Sequence, residues 1–231
     1  MSMPQSALTG IRLLIFDLDG TLVDSKKDLA QSVNAMREKM GLGLLPQGVV
    51  ASYVGQGVTV LIRRALGEKA TEENVEKGLA FFLEYYRLHM LDNTTIYPGV
   101  SEALEALRDR KLAVLTNKPV HFSREMLERL GIARYFSFIY GGNSFEQKKP
   151  APEGVKKLMR DMGATSDQTL IVGDSDTDVL TGRNAGIWTC GVTYGFGAHT
   201  LESAPPDILL GDLRDLPALL NGKKRLSRDK R

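Results

Sequence analysis

The run Leu13-Leu14-Ile15-Phe16-Asp17-Leu18-Asp19-Gly20-Thr21 constrains this chain more than any other feature. Four apolar residues lead into two carboxylates, and Gly20 then breaks the pattern. A short unbroken apolar run bounded by a turn signal reads as a strand buried on both faces, which belongs in a parallel sheet. Ligands of such sheets gather beyond the carboxyl ends of the strands, where Asp17 and Asp19 would stand. Two acids so close repel one another. The site therefore needs a metal ion, a shared proton or a cationic substrate.

The remaining texture supports an α/β fold. From about residue 97 onward, short apolar runs alternate with helical patterns. Strands are expected at 111–115, 136–140, 169–172, 187–192 and 207–210, with helices at 100–110, 123–130, 152–162, 178–185 and 213–220. Such alternation implies βαβ units, right-handed crossovers and a Rossmann-like parallel sheet with its strand ends on one edge. Between Asp24 and Asp92 the pattern is helical throughout, with helices expected at 24–40, 58–66 and 72–91. The expected organisation is a catalytic core of residues 1–22 and 97–221, an inserted all-helical cap of residues 23–96, and a basic tail of residues 222–231.

Charge and cysteine content narrow the setting. The last ten residues carry six bases and one acid, so the body before them is net −3 although the chain is +2. A basic end of this kind is read as a solvated tail rather than a nucleic-acid-binding element. The one cysteine, Cys190, rules out an intrachain disulfide and makes the cytoplasm the default compartment. No apolar run approaches the length of a membrane span, and Met1 to Gly10 shows no secretory pattern.

Each expected strand end brings a different chemical type. The first gives Asp17 and Asp19, the second Thr116 and Asn117, and a later one Asp174 with Asp178 close behind. The segment before Pro150 gives Lys148 and Lys149. Acids, a hydroxyl and a lysine together suit a hard cation beside a phosphate: carboxylates hold Mg²⁺, while lysine and hydroxyl donors hold phosphoryl oxygens. Lys148 reads as a solvated neighbour of Lys149. Lys118, directly after Thr116-Asn117, is equally open to a solvated or a site role.

This set resembles the phosphatase branch of the haloacid dehalogenase superfamily, over nearly the whole chain. Asp17-Leu18-Asp19-Gly20-Thr21, Leu115-Thr116-Asn117, Lys149-Pro150 and Val172-Gly173-Asp174-Ser175 followed by Asp178 match its four motifs in order. The resemblance implies that Asp17 is the nucleophile, forming an aspartyl-phosphate, and that Asp19 is the general acid and then the base for water. It implies that Asp17, the Asp19 carbonyl and Asp174 hold Mg²⁺, with Asp178 supporting the metal's waters or Lys149. Thr116, the Asn117 amide and Lys149 would bind the phosphoryl oxygens. The carboxylate at Asp19 separates the chain from the family's dehalogenases and phosphonate hydrolases.

In this family the region between the first two motifs is a cap that closes over the site, here with hinges at Val23-Asp24-Ser25 and Asn93-Thr94-Thr95. Val54-Gly55-Gln56-Gly57 before Leu61-Ile62-Arg63-Arg64-Ala65-Leu66 is similar to the phosphoglycolate phosphatase group. Glycines at a helix start leave N–H groups open to an anion such as the substrate's carboxylate. Arg63 and Arg64 could add charge there or face solvent. The resemblance thus implies a Mg²⁺-dependent hydrolase of a small phosphorylated metabolite, with phosphoglycolate first. A pyrophosphatase, a sugar or nucleotide monophosphatase, and a phosphomutase like β-phosphoglucomutase stand as alternatives. Monomer and homodimer are both compatible with the residues.

Overall fold

A computed structural model of the chain describes residues 5–222, with no side-chain description for residues 5–7. The tail read from Gly222 onward lies, beyond Gly222 itself, outside the described residues. Eight strands and ten α-helices follow in the order α1 (Gln5–Gly10), β1 (Leu13–Phe16), β2 (Val23–Asp24), α2 (Lys26–Lys39), α3 (Gln47–Ser52), α4 (Val58–Leu66), α5 (Glu72–His89), β3 (Thr95–Ile96), α6 (Val100–Ala106), β4 (Lys111–Leu115), α7 (Val120–Arg129), β5 (Phe138–Tyr140), α8 (Glu153–Met162), β6 (Thr169–Gly173), α9 (Asp176–Ala185), β7 (Trp188–Val192), β8 (Ile208–Leu210) and α10 (Asp215–Leu220).

Six strands form one sheet in the order β5-β4-β1-β6-β7-β8, every pairing parallel. The first strand sits at the centre. Its alternate residues face opposite ways, as the period of a strand requires. Leu13 and Ile15 pack with Val155, Leu158 and Met162 of α8, while Leu14 and Phe16 pack with the core that includes α6, α7 and α10. All four are fully buried, which explains the unbroken apolar run. The chain leaves β1 for one half of the sheet through β4 and β5, and fills the other half with β6, β7 and β8. The β1 end is thus the point where strand order reverses, the usual crevice for a ligand.

Helices α2 to α5 form the insert after β1. Along α5, Val75, Phe82 and Tyr86 are buried, and Leu79 and Leu83 pack partly against them. Neither end of the insert carries a strand signal in the sequence, yet Val23–Asp24 pairs antiparallel with Thr95–Ile96. Two-residue strands carry no readable periodicity. Asp28 pins the second connection. Its Oδ2 accepts from the Asn93 N–H at 2.9 Å, the Thr94 N–H at 2.7 Å and the Thr94 hydroxyl at 2.7 Å, and its Oδ1 accepts from Asn93 Nδ2 at 2.8 Å. Two further corrections are small. The helix expected over 100–110 ends at Ala106, and α3 was not foreseen because Gln47-Gly48-Val49-Val50 lacks a helical repeat. Among the described residues no helix is long and apolar enough to cross a membrane.

Candidate active site

The parallel sheet delivers Asp17, Thr116 and Asp174 from three adjacent strands, β1, β4 and β6. The Asp17 N–H donates to the Val172 carbonyl at 2.9 Å, which carries the ladder one residue past β1. Gly20 makes the next turn with φ at 86°. A Cβ there would lie 2.2 Å from Asp174 Oδ2, so only glycine lets the two acidic loops approach this closely.

Asp17, Asp174 and Asp178 form a buried cluster whose ligand atoms all lie within 4.8 Å of one another. Lys149 closes one side. Its Nζ is 2.9 Å from Asp17 Oδ1 and 2.6 Å from Asp178 Oδ1. Burial opposes the charge on Lys149, but Asp17 and Asp178 outweigh it and hold the ammonium's pKa above its ordinary value. Burial pushes the Asp17 carboxyl up to about 6; Lys149 opposes that rise and the nearby Asp178 charge adds to it. Burial, then Asp178 and Asp17, also holds Asp174 well above the usual carboxylate range.

Asp178 is fixed from two directions. Its Oδ2 caps α9 by accepting from the Ser175 N–H at 3.2 Å and the Ser175 hydroxyl at 2.8 Å. Its Oδ1 is left for Lys149. An acid in the first turn of a helix also gains from the helix dipole. Asp178 therefore both orients the lysine and completes the acidic cluster.

The donor set fits a divalent cation. Asp17 Oδ1 is buried against Lys149 Nζ at 2.9 Å and receives no other hydrogen bond among the described residues. With every group ionised, Asp17, Asp19, Asp174 and Asp178 face Lys118 and Lys149, an excess of two negative charges. Clustered oxygen donors with such an excess are what a hard cation requires.

Asn117 works as a clip. Its Oδ1 accepts from the Lys149 N–H at 2.9 Å and its Nδ2 donates to the Lys149 carbonyl at 2.9 Å. The same Nδ2 donates to the Gly55 carbonyl on the insert at 2.8 Å. The side-chain amide is thus committed to holding the lysine loop and the insert. Thr116 is buried beside it and lines the same cavity as Asp17 and Asp174.

Asp19 stands outside the acidic cluster but lines the same cavity. Its Oδ1 accepts from the Ser25 hydroxyl at 2.6 Å, and Lys118 Nζ lies 3.1 Å from each of its carboxylate oxygens. Lys118 also donates to the Tyr86 hydroxyl of α5 at 2.7 Å. Burial raises the Tyr86 phenol to about 12, against the pull of the Lys118 charge. The sequence leaves Lys118 open between a solvated and a site role, and its contact with Asp19 puts it in the site; Tyr86 carries no such signal. The signal for Lys118 is that it directly follows Thr116-Asn117. Lys148, by contrast, is exposed, as expected.

A cavity of about 60 Å³ lies between core and insert. Polar groups line its floor and Leu29, Val54, Val58, Leu61, Phe82 and Phe122 its roof and sides. Arg63 and Arg64 add no charge to it: Arg63 pairs with Glu72 at 2.9 Å, and Arg64 donates to Gln56 Oε1 at 2.6 Å, both on the exposed surface.

A buried acidic cluster with a lysine, set at the switch point of a parallel sheet beneath a helical insert, defines a phosphate-handling hydrolase of the haloacid dehalogenase type. Residues 14–192 match the haloacid dehalogenase-like hydrolase family, and the chain belongs to it. Within the family it is phosphoglycolate phosphatase-like. It is 38% identical over 229 residues to the phosphoglycolate phosphatase of Neisseria meningitidis, covering 95% of this chain and 97% of that protein. It is 39% identical over 216 residues to the phosphoglycolate phosphatase of Pseudomonas putida, covering 89% of this chain and 78% of that one. The crystal structure of a predicted phosphoglycolate phosphatase from Haemophilus somnus 129pt superposes with a TM-score of 0.86 at 34% identity, covering 90% of this chain and 96% of that one.

Proposed function

We propose that the protein is a Mg²⁺-dependent phosphatase that hydrolyses small phosphate monoesters through a phosphorylated Asp17, with phosphoglycolate as the preferred substrate. The observation that carries the reaction type is the division of labour between the two acids of the first motif. Asp17 lies in the acidic cluster against Lys149, whereas Asp19 is held apart by Ser25 and Lys118. Asp17 thus stands among the groups that would hold the phosphoryl group, and Asp19 stands beside them, outside the cluster but on the same cavity.

Asp17, Asp174 and the Asp19 carbonyl would hold Mg²⁺, and Asp178 would keep Lys149 in place. The ion would neutralise charge on the phosphoryl group and on the acids around it. Thr116 and Lys149 bind the phosphoryl oxygens and reduce the repulsion between a phosphate dianion and an anionic nucleophile. An Asp17 carboxylate oxygen attacks phosphorus in line, forming the P–O bond to Asp17 as the ester P–O bond breaks. Asp19 gives its proton to the departing oxygen. In the second half, Asp19 takes a proton from water as the water oxygen attacks the aspartyl-phosphate, and Asp17 is released.

Residues 23–96 act as a cap, hinged at the β2–β3 pair, that closes the site against water. The small volume of the cavity favours a leaving group of few atoms. Phosphoglycolate answers that description, and the full-length relatives bear its name.

The test is a phosphate-release screen with Mg²⁺ over phosphoglycolate, pyrophosphate, sugar phosphates and nucleoside monophosphates, run beside Asp17→Asn. Phosphoglycolate should show the highest kcat/KM, and Asp17→Asn should abolish release from every ester. Isomerised sugar phosphate without released phosphate would instead establish a phosphomutase.

A further inference from the structure

Lys118 is buried and spends its ammonium on two partners from different parts of the fold. It meets both carboxylate oxygens of Asp19 at 3.1 Å and the hydroxyl of Tyr86 at 2.7 Å. Tyr86 belongs to the insert. Its ring is stacked on Phe82 of the same helix at 5.4 Å and meets Phe122 of the core edge-on at 5.4 Å. The hydroxyl that Lys118 reaches is therefore placed by an aromatic wedge driven between insert and core. The neighbouring Asn117 makes a second tie to the insert, through the Gly55 carbonyl. Consecutive residues thus bridge the boundary, one towards the lysine loop and one towards Asp19.

Resting on the phosphatase reading above, we propose that Lys118 is a positioning residue for Asp19, and that Tyr86 makes this positioning depend on a closed cap. Three donors of Lys118 match three acceptors, so its location fixes the direction of the Asp19 carboxylate. The Ser25 hydroxyl holds the same carboxylate from the first connection. When the cap opens, Tyr86 leaves with α5 and Lys118 loses the contact opposite Asp19. The proton carrier is then aligned only while the substrate is enclosed, which restricts proton transfer to the water-excluded state.

Lys118→Met and Tyr86→Phe test this with three substrates: phosphoglycolate, an alkyl phosphate of similar size without a carboxylate, and p-nitrophenyl phosphate. Departure of an alkoxide needs a proton, whereas departure of the nitrophenolate does not. The parameter kcat/KM reports the steps up to that departure. Lys118→Met should lower the ratio of alkyl to aryl kcat/KM by about 30-fold or more, equally for both alkyl esters, within the range that general acids supply. Tyr86→Phe, which keeps the ring stacking, should move the ratio in the same direction by about 3- to 10-fold, with an unchanged melting temperature.

Equal losses on all three esters would overturn the proposal and mark Lys118 as structural. A loss confined to phosphoglycolate would overturn it in favour of Lys118 binding the substrate's carboxylate. Wild-type protein that releases no phosphate from any of the three refutes the phosphatase reading, and the proposal with it. Wild-type activity with an unmoved ratio in both variants refutes the proposal alone.

Discussion

Replacing Asp17 by asparagine should stabilise the metal-free protein while removing its activity. Burial, with Asp178 nearby, raises the Asp17 carboxyl from 3.8 to about 6 despite Lys149. For a carboxyl raised in the folded state, the fold holds the proton more tightly than the unfolded chain does. The resulting destabilisation is absent below pH 3.8, grows as pH rises from 3.8 to about 6, and is complete above that. A shift of about two units corresponds to about 3 kcal/mol at neutral pH, and asparagine escapes most of it. The Lys149 attraction is already contained in that shift; the buried amide that replaces the carboxyl must find hydrogen-bond partners of its own, so a net of about 1–2 kcal/mol is expected. In a chain of this size that raises the melting temperature by about 2–8 °C. The assay is thermal unfolding at pH 7.5 in a chelator and again with excess Mg²⁺. Wild type should gain stability from Mg²⁺ and the variant should gain much less, because a ligand acts on stability only through its preference for the folded state. A variant that melts below wild type in the chelator would refute the claim that unneutralised acids strain this site.

Two further changes probe separate parts of the structure. Lys149→Met leaves Asp17 and Asp178 buried without their cation and should lower kcat by about 100- to 1,000-fold, read by phosphate release, while folded protein is still recovered. Asp28→Ala strands the N–H groups of Asn93 and Thr94 and the Thr94 hydroxyl; it should cost about 3 kcal/mol in urea unfolding and speed proteolysis near residue 93.

The parts of the site that came straight from the sequence are those fixed by one strand and its turn. Leu13 to Phe16, Leu112 to Leu115 and Leu170 to Val172 are apolar runs that end at Asp17, Thr116 and Asp174, so burial and strand ends were written in the same residues. Lys149 and Asp178 came from their order relative to these, and the 2.6 Å pair between them gives that order a physical basis. What sequence reasoning missed is nonlocal. Tyr86 read as one of a row of apolar residues on a helix, and nothing local reveals that its hydroxyl meets a lysine 32 residues away. Nothing local marks Asp28 either, because its partners lie 65 and 66 residues on. The β2–β3 pair escaped notice because two residues on each side define no period.

In the proposed reaction Asp17 carries the phosphoryl group. Quenching a reaction with excess phosphoglycolate in acid within milliseconds, then mapping the phosphate by mass spectrometry, tests it directly. Phosphate should appear on Asp17 in wild type; with p-nitrophenyl phosphate, whose leaving group needs no proton, it should accumulate when Asp19 is replaced by alanine, since water attack then lacks its base. Phosphate release at full rate with no phosphorylated peptide, or with the phosphate on another residue, would contradict it.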